Sequence, residues 1–282
     1  ASNNTAVGHE ALVSNTTGLQ NTAVGSSALL ANTTGDRNVA VGETALDANT
    51  TGIRNVAIGR ASLSAMQTAS YNVGVGHSVM GDTTTGHSNT GIGNGALNDL
   101  LTGDRNIGIG YNAQVSATGG NDQIVMGYNV VGAGNNTFTF GESSSDTTCT
   151  FGSTTWSAPS DQRLKEEITT STAGLSFVND LRPVTFKWKK EKDIPADLSG
   201  YVEGSEKRFN NDYTNHGFIA QEVKTAMDAH SELKNGFDMW AEGSDGRQRI
   251  ADGALVPILV KAIQELSAEN TAIKARLTTL EG

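Results

Sequence analysis

The stretch SDQRLK at residues 160–165 places a serine and a lysine five residues apart, a pair that can do nucleophilic chemistry. A serine hydroxyl attacks a carbonyl only when a base takes its proton. Neutral lysine is such a base, and burial or a neighbouring cation such as Arg163 favours that neutral form. A spacing of five does not bring two side chains together on a helix, so a turn or a contact between two chains must do so. The alternative is structural: Ser160, followed by an acidic residue and a charged stretch, would be an ordinary helix N-cap.

The composition changes at this stretch, because Lys165 is the first lysine in a chain of 282 residues. The formal net charge of −10 argues against a nucleic acid or an anionic membrane surface as partner. Cys149 is the only cysteine, so we expect no disulfide within the chain, no bound metal and no cofactor. No apolar run reaches the length of about 18 residues that crosses a bilayer, so we expect no membrane insertion. The chain lacks an initiator methionine and a signal peptide, which predicts the C-terminal part of a longer protein.

The first half of the chain is a repeat with a period of seventeen residues. Its asparagines are Asn4, Asn21, Asn38, Asn55, Asn72, Asn89 and Asn106. Three residues after each asparagine stands Val or Ile, and a glycine comes directly after it. These apolar residues are Val7, Val24, Val41, Ile58, Val75, Ile92 and Ile109. A second apolar set is Leu12, Leu29, Leu46, Leu63, Met80 and Leu97, and a second glycine recurs at 18, 35, 52, 86 and 103 but is replaced by Ala69. A fixed period this short predicts a solenoid.

Seventeen residues suit a coil of two short strands and two tight turns. The alternation predicts that Val7 and Leu12 both point into the coil, with glycines of positive φ at the corners and stacked asparagines forming a ladder. After Asn106 we expect the period to shorten, with Asn121 and Asn135 opening degenerate copies. Each coil buries about two aliphatic side chains, too little to offset the entropy of ordering it. Partner chains must therefore complete the structure, and we expect a homotrimer.

The repeated motif of asparagine, a small residue, Val or Ile, and glycine resembles the head repeats of trimeric autotransporter adhesins, whose coils form a left-handed β-roll. Similar repeats occur in phage tail fibres. The resemblance covers residues 1–141 and implies a β-solenoid stalk. Residues 142–159 are predicted to be a short β segment around Cys149 followed by an exposed, Ser/Thr-rich linker.

The second half has helical periodicity and mixed charge, and residues 160–258 are predicted to form an α+β domain. A short helix is expected over Leu175, Val178 and Leu181, ended by Pro183 and followed by a strand at 184–188. The polar segment 191–211 is predicted to be a surface insertion, and HGFIAQEVKTAM to be a strand that leads into a helix.

Heptad spacing marks residues 259–282 as a short parallel coiled coil. Asn270 lies at a core position of this pattern, where asparagine usually sets the register and the number of strands. The core positions are Leu259, Ile263, Leu266, Asn270, Ile273, Leu277 and Leu280. The alternative is one amphipathic helix packed on its own domain, and the heptads alone do not decide between a dimer and a trimer.

The motifs SDQRLKEEI, GLSFVNDLRPVTFKW, HGFIAQEV and LVPILVKAIQEL, in this order, resemble the C-terminal intramolecular chaperone domain of endosialidase-type tailspikes and tail fibres. The same domain occurs in phage neck appendages and in animal myelin regulatory factors. This resemblance implies a trimeric domain that assists folding of the β-rich stalk and then cuts itself off with a serine–lysine dyad. The matching residues are Ser160 as nucleophile and Lys165 as base, and the bond implied to be cut is Pro159–Ser160.

The resemblance also suggests residues that support this site, which are Asp161, Arg163, His216, Gln221 and Glu222. A purely structural strand-to-helix turn is the alternative for the last three. The expected whole is a homotrimeric phage tail fibre or tailspike, assembled in the host cytoplasm and carried on the virion tail. Its partners would be upstream fibre or baseplate proteins and a host cell-surface glycan or protein. The alternative is a bacterial trimeric surface adhesin whose C-terminal domain trimerises without proteolysis.

Overall fold

The computed structural model describes residues 2–233 and 237–281 of the chain. Ala1 and Gly282, the outer ends of the predicted repeat and coiled-coil segments, lie outside the described residues. The chain divides into two compact units, residues 1–166 and residues 167–282, and each has its own hydrophobic core.

The first unit is a β-solenoid of about eight turns, which confirms the predicted repeat architecture. Strands β1 to β9 pair in parallel, and β10 closes the sheet as an antiparallel partner of β9. The register follows the sequence period, since Thr5 pairs with Thr22 and Ile107 with Ile124. The ten strands are β1 (Thr5–Val7), β2 (Thr22–Val24), β3 (Val39–Val41), β4 (Val56–Ile58), β5 (Val73–Val75), β6 (Thr90–Ile92), β7 (Ile107–Ile109), β8 (Gln123–Tyr128), β9 (Thr137–Glu142) and β10 (Ser145–Thr150).

Each short strand turns its small central residue inward, so the predicted inward direction of the Val7 register is wrong. Ala40, at the centre of β3, is fully buried, whereas Val7 is 58% exposed and Ile58 is 41% exposed. The interior has no room for a larger residue, since a Cβ at Gly108 would lie 2.5 Å from Cγ of Leu97. Side chains alternate along a strand, so the two residues flanking the central one face outward. One row of Val and Ile, in the Val7 register, therefore runs along the outside of the sheet, beside a second row in which Val and Ile are mixed with Thr5, Thr22 and Thr90.

Each coil from β1 to β7 contains one strand, not the two predicted. The leucines of the second register lie in turns, where Leu29 and Leu46 adopt left-handed backbone with φ of 50° and 51°. This conformation costs roughly 1–2 kcal/mol for a non-glycine residue. Full burial of each leucine side chain offsets that cost, since it contributes about 1.5–3 kcal/mol. The turns also pair from coil to coil, because Leu29 N donates to Ala45 O at 3.0 Å.

The repeated asparagines form the predicted ladder inside the solenoid. The backbone N–H of Asn72 donates to Asn55 Oδ1 at 2.9 Å, and its own Oδ1 accepts from Asn89 N at 2.9 Å. The ladder continues past Asn106, whose Oδ1 accepts from Gln123 N at 3.1 Å. The expectation that Asn121 and Asn135 open degenerate copies is therefore wrong, because Gln123 keeps the spacing of seventeen. The period shortens one coil later, where Gln123 pairs with Thr137.

Two sets of glycines serve different needs in each coil. The glycine after each strand from β1 to β7 has the predicted positive φ, and a Cβ at Gly59 would lie 2.3 Å from Gly76 O. The second set, which includes Gly35, does not have positive φ and is required for space. A Cβ at Gly35 would lie 2.4 Å from Asn32 Oδ1 and 2.5 Å from Gly52 O.

A second, shorter asparagine ladder ends at Met66. Asn32 Nδ2 donates to Asn15 Oδ1 at 2.9 Å and Asn49 Nδ2 to Asn32 Oδ1 at 2.8 Å. Met66 follows in this register, and the buried Oδ1 of Asn49 has no donor among the described residues. Ala69 replaces the recurring glycine in this same coil, where no asparagine oxygen occupies the space that its methyl group needs.

We expect Met66→Asn to destabilise the solenoid, because its amide would collide with the Cβ of Ala69. Adding Ala69→Gly should recover most of the loss, which corresponds to a coupling of about 1–3 kcal/mol between the two positions. Urea unfolding of the two single variants and the double variant measures this coupling. Effects that simply add would show that glycine and asparagine are not linked in this way.

The second unit is an α+β structure around one core, as predicted. Its strands are β11 (Val184–Phe186) with β12 (Asn215–Gly217), and β13 (Trp240–Glu242) with β14 (Gln248–Ile250), and its helices are α1 (Leu175–Asp180), α2 (Ala220–Ala229) and α3 (Leu255–Glu281). Helix α1 ends before Pro183, as expected, but Phe177 is its fully buried residue and Leu175 and Val178 are only partly buried. Its first turn is held by α3, because Leu175 N donates to Glu265 Oε2 at 2.8 Å.

Helix α3 uses two different faces. Leu255, Ile258 and Ala262 are buried in the core of the second unit. The predicted heptad residues lie on another face and are exposed, with Ile263 at 65% and Ile273 at 55%. Helix α3 therefore packs on its own domain, as the alternative expected, but through residues outside the heptad core, and the heptad residues stay exposed.

His230, at the end of α2, links three elements of this unit. Its Nε2 lies 2.8 Å from Asp180 Oδ2 at the end of α1, and its Nδ1 lies 3.1 Å from Glu232 Oε1. The hydrogen bond to Asp180, followed by the contact with Glu232, raises the pKa of His230, while burial partly opposes it.

We expect the second unit to lose stability as pH rises from about 6.5, the usual pKa of an unfolded histidine. The folded pKa of His230 is raised, so its stabilising charge is complete below the unfolded pKa and is lost as pH passes the folded pKa. Thermal unfolding between pH 5 and 9 should show this slope in the unchanged chain and a flatter one in His230→Gln. His216→Gln removes an exposed histidine of the same unit and should keep the slope. Equal slopes in all three chains would contradict the prediction.

Candidate active site

Ser160 and Lys165 are brought together by a single tight turn. Residues Gln162–Leu164 form one turn of 3-10 helix, and Lys165 N closes it by donating to Gln162 O at 3.0 Å. Beyond this turn Lys165 returns to extended backbone, with φ of −126° and ψ of 141°. Lys165 Nζ thereby donates to Ser160 Oγ at 2.7 Å, within one chain. Both residues are exposed to solvent.

Asp161 organises this turn and pairs with Arg163. Asp161 Oδ1 accepts from Arg163 N at 2.9 Å, so Asp161 is the N-cap and the N-cap interpretation of Ser160 is wrong. The carboxylate also receives the Arg163 guanidinium, with Nη2 at 2.5 Å from Oδ2. This ion pair lowers the pKa of Asp161. The positive charge of Arg163 is therefore balanced locally, while the hydroxyl of Ser160 stays free for Lys165.

The other three predicted residues belong to the second unit. His216 is exposed on β12, opposite Thr185 of β11. Gln221 and Glu222 lie in the first turn of α2. The Glu222 carboxylate accepts both guanidinium contacts from Arg182, which lowers the pKa of Glu222. This arrangement is the strand-to-helix turn expected from the sequence, with an ion pair at the start of the helix.

The residues just before Ser160 lie on the last hairpin of the solenoid. Ser157 forms an isolated bridge with Thr148 of β10, with N–O distances of 2.9 Å in both directions. Trp156 contacts Phe138 and Phe140 of β9. Trp156 was not predicted to take part, and a lone tryptophan in a Ser/Thr-rich segment is the only signal that the sequence offers for it.

Two further classes of site are absent from residues 2–233 and 237–281. These residues contain no cluster of three or more His, Cys, Asp or Glu side chains that could hold a metal ion. They also contain no helix with the length and apolar character needed to cross a membrane.

Of three comparisons with known proteins, one matched a segment of this chain. Comparisons with curated proteins and with solved structures found no match. The comparison with protein families matched residues 160–232, a segment that begins at Ser160 and includes Lys165, His216, Gln221 and Glu222. The solenoid coils lie outside it. At residues 160–232 the chain therefore carries a domain of the Peptidase S74 family, chaperone of endosialidase.

Proposed function

We propose that this chain assembles as a homotrimer, that residues 160–282 assist folding of the solenoid, and that the chain then cuts itself once between Pro159 and Ser160. The observation that carries the proposal is the hydrogen bond of 2.7 Å between Lys165 Nζ and Ser160 Oγ. It lies at the first residue of the segment that matches a family described as a chaperone.

The chemistry needs no group beyond these residues and water. Ser160 Oγ attacks the carbonyl carbon of Pro159 while its proton passes to neutral Lys165 Nζ. The C–N bond of the same peptide then breaks, and the nitrogen of Ser160 leaves as an amine after taking the proton back from lysine. Water hydrolyses the resulting ester, which yields a carboxylate on Pro159 and restores the hydroxyl of Ser160. The reaction is single-turnover because the substrate is the enzyme's own chain.

Because Ser160 and Lys165 are exposed in the single chain, we expect trimer formation to control cleavage. A protonated lysine donates hydrogen bonds but accepts none, so it cannot take the serine proton. Contact with neighbouring chains would exclude water from the turn and favour the neutral amine. Cleavage would then follow trimer formation, as a chaperone that must act before it leaves requires.

Two unpartnered apolar surfaces support the trimer. On the solenoid, the outward row of Val and Ile in the Val7 register runs along the sheet from coil to coil, with Val7 at 58% and Ile92 at 41% exposure. On α3, Leu266 and Leu277 of the heptad face are about half exposed, at 49% and 50%. Rows of this kind on a single chain are typical of surfaces that other copies cover.

We expect Ile273→Asp to prevent trimer formation, because it places a carboxylate at a core position of the predicted coiled coil. In a Ser160→Ala background, which should remain uncut, light scattering at micromolar concentration should give the mass of one chain with Ile273→Asp added and of three chains without it. Ala275→Asp introduces the same charge two residues away, outside the heptad core, and should remain trimeric. An Ile273→Asp variant with the mass of a trimer would contradict the proposed coiled coil.

The chaperone function has a physical reason. Coils of near-identical sequence can pair one repeat out of register between chains, and structures with non-local pairing fold slowly. A compact C-terminal domain that trimerises first would align the three chains. Its removal would leave the stalk trapped in the folded state.

We place this protein in a phage tail fibre or tailspike, with a receptor on the host surface. The alternative is a bacterial surface adhesin whose C-terminal domain trimerises without proteolysis. A denaturing gel of the boiled, full-length chain separates the two. The proposal predicts fragments 1–159 and 160–282, the second with Ser160 at its amino terminus by mass spectrometry. A single full-length band that persists for days would favour the adhesin.

A further inference from the structure

Trp156 packs against the solenoid and so holds in place the part of the chain that lies just before the proposed scissile bond. The Trp156 ring stands edge-on to Phe138 and Phe140, with centroids at 5.5 and 5.3 Å and interplanar angles of 72° and 71°. Phe138 pairs with Ile124, and Phe140 pairs with Met126. These two phenylalanines thus continue the outward apolar rows, and Trp156 covers the end of those rows.

The neighbouring residues of the linker lie on the same hairpin. Ser157 exchanges both backbone hydrogen bonds with Thr148, which itself pairs with Thr139 across the β9–β10 hairpin. Ala158 and Pro159 line a surface depression together with residues 144–147, at the turn of that hairpin. Residues 156–159 therefore have their observed positions only when β9 and β10 have paired.

The proposed reaction is sensitive to this placement. Attack of Ser160 Oγ on the preceding carbonyl closes a five-membered ring through Oγ, Cβ, Cα and N of Ser160 and the carbonyl carbon of Pro159. Ring closure requires narrow ranges of φ and χ1 at Ser160, and this φ sets where the Pro159 carbonyl lies relative to the rest of Ser160. Reacting groups must lie about 3–3.5 Å apart, and displacements of about 1 Å can cost a hundredfold in rate. A linker free to move upstream of Pro159 would rarely meet this requirement.

We propose that Trp156 is a positioning residue for self-cleavage and that it makes cleavage depend on completion of the last solenoid hairpin. The inference rests on the proposed cleavage at Pro159–Ser160 and adds the condition under which the cut occurs. The chain is released from its chaperone only after the final strands, which fold against the rest of the stalk, have formed the surface that Trp156 binds.

The test follows cleavage of the full-length chain over time on denaturing gels after refolding. Trp156→Ala should slow cleavage about tenfold or more, whereas Trp156→Phe, which keeps an aromatic ring, should cleave within about threefold of the unchanged chain. Phe140→Ile removes the partner ring but restores the residue type of β4 and β6, so the stalk should fold and cleavage should still slow. Phe151→Ala removes a half-exposed ring of the same region that lies outside the Trp156 cluster, and it should leave the rate unchanged.

Hydroxylamine provides a readout that separates a slow first attack by Ser160 from slow hydrolysis of the ester. It cleaves esters, so it should speed fragment release in any variant that is slow only in ester hydrolysis. A Trp156→Ala chain limited by the first attack should not be rescued. Cleavage of Trp156→Ala and Phe140→Ile at the unchanged rate would overturn the inference, and so would equal slowing by Phe151→Ala. An unchanged chain that never cleaves would instead contradict the proposed function itself.

Discussion

Ser160→Ala is expected to leave the chain intact on a boiled denaturing gel, with no fragments 1–159 and 160–282. The variant removes the oxygen that accepts the hydrogen bond from Lys165 Nζ at 2.7 Å, and a methyl group cannot attack a carbonyl. Because the exposed serine is replaced by a similar side chain, the trimer and the fold of both units should be unchanged. Light scattering and thermal unfolding check this on the same sample.

Lys165→Arg tests the base separately from the charge. Arginine stays protonated in proteins, so it keeps the positive charge but cannot accept the serine proton. Cleavage should slow by about 10²–10⁴-fold, the usual contribution of a general base. Ser267→Ala and Lys274→Met, on the exposed surface of α3, are matched controls and should cleave normally. Cleavage at the ordinary rate in Ser160→Ala or Lys165→Arg would show that another group carries the reaction.

Asn72→Ala is expected to cause the largest loss of stability among substitutions in the stalk. Asn72 is fully buried. Its Oδ1 accepts from Asn89 N at 2.9 Å, and its Nδ2 donates to Gly86 O at 2.9 Å. Alanine would leave both backbone groups unpaired inside the solenoid. Each such group costs about 1–3 kcal/mol, so we expect a loss of about 2–6 kcal/mol in the free energy of unfolding. Urea unfolding of the full chain measures it.

Asn94→Ala is the matched control, because Asn94 is an exposed asparagine outside the ladder. Its effect should stay within about 0.5 kcal/mol, as is usual for surface substitutions. Similar losses in both variants would mean that the internal ladder is not what stabilises the coils. Since coils contact mainly their neighbours, a break at Asn72 should weaken the stalk on both sides of it.

The sequence alone was enough for the order of the elements. A period of seventeen predicted the solenoid, its register and its asparagine ladder, because identical residues in stacked coils must meet each other. The heptads predicted the long helix α3, and Pro183 predicted the end of α1. Ser160 and Lys165 were recognisable as a pair only through the resemblance of four motifs, since their spacing is equally compatible with an ordinary turn.

The direction of side chains was beyond the sequence pattern. Val7 and Ala6 alternate, and the alternation is the same whichever of them faces the core. The closure of the coil decides it, because the leucines in the left-handed turns fill the interior and leave space for only a small residue in the strand. The role of Gln123 was also beyond the sequence pattern. Only the stacked coils show that this glutamine continues the ladder at a position where asparagine is replaced.

At the candidate site, too, the sequence determined some features and the tertiary structure determined others. The sequence determined which residue types are present at 160–165, and therefore which chemistry is available. Only the tertiary structure decided that Asp161 caps the turn and holds Arg163, which leaves Ser160 to Lys165, and that Trp156 lies on Phe138 and Phe140. These contacts depend on distances across a folded turn and a folded hairpin, which local residue patterns do not encode.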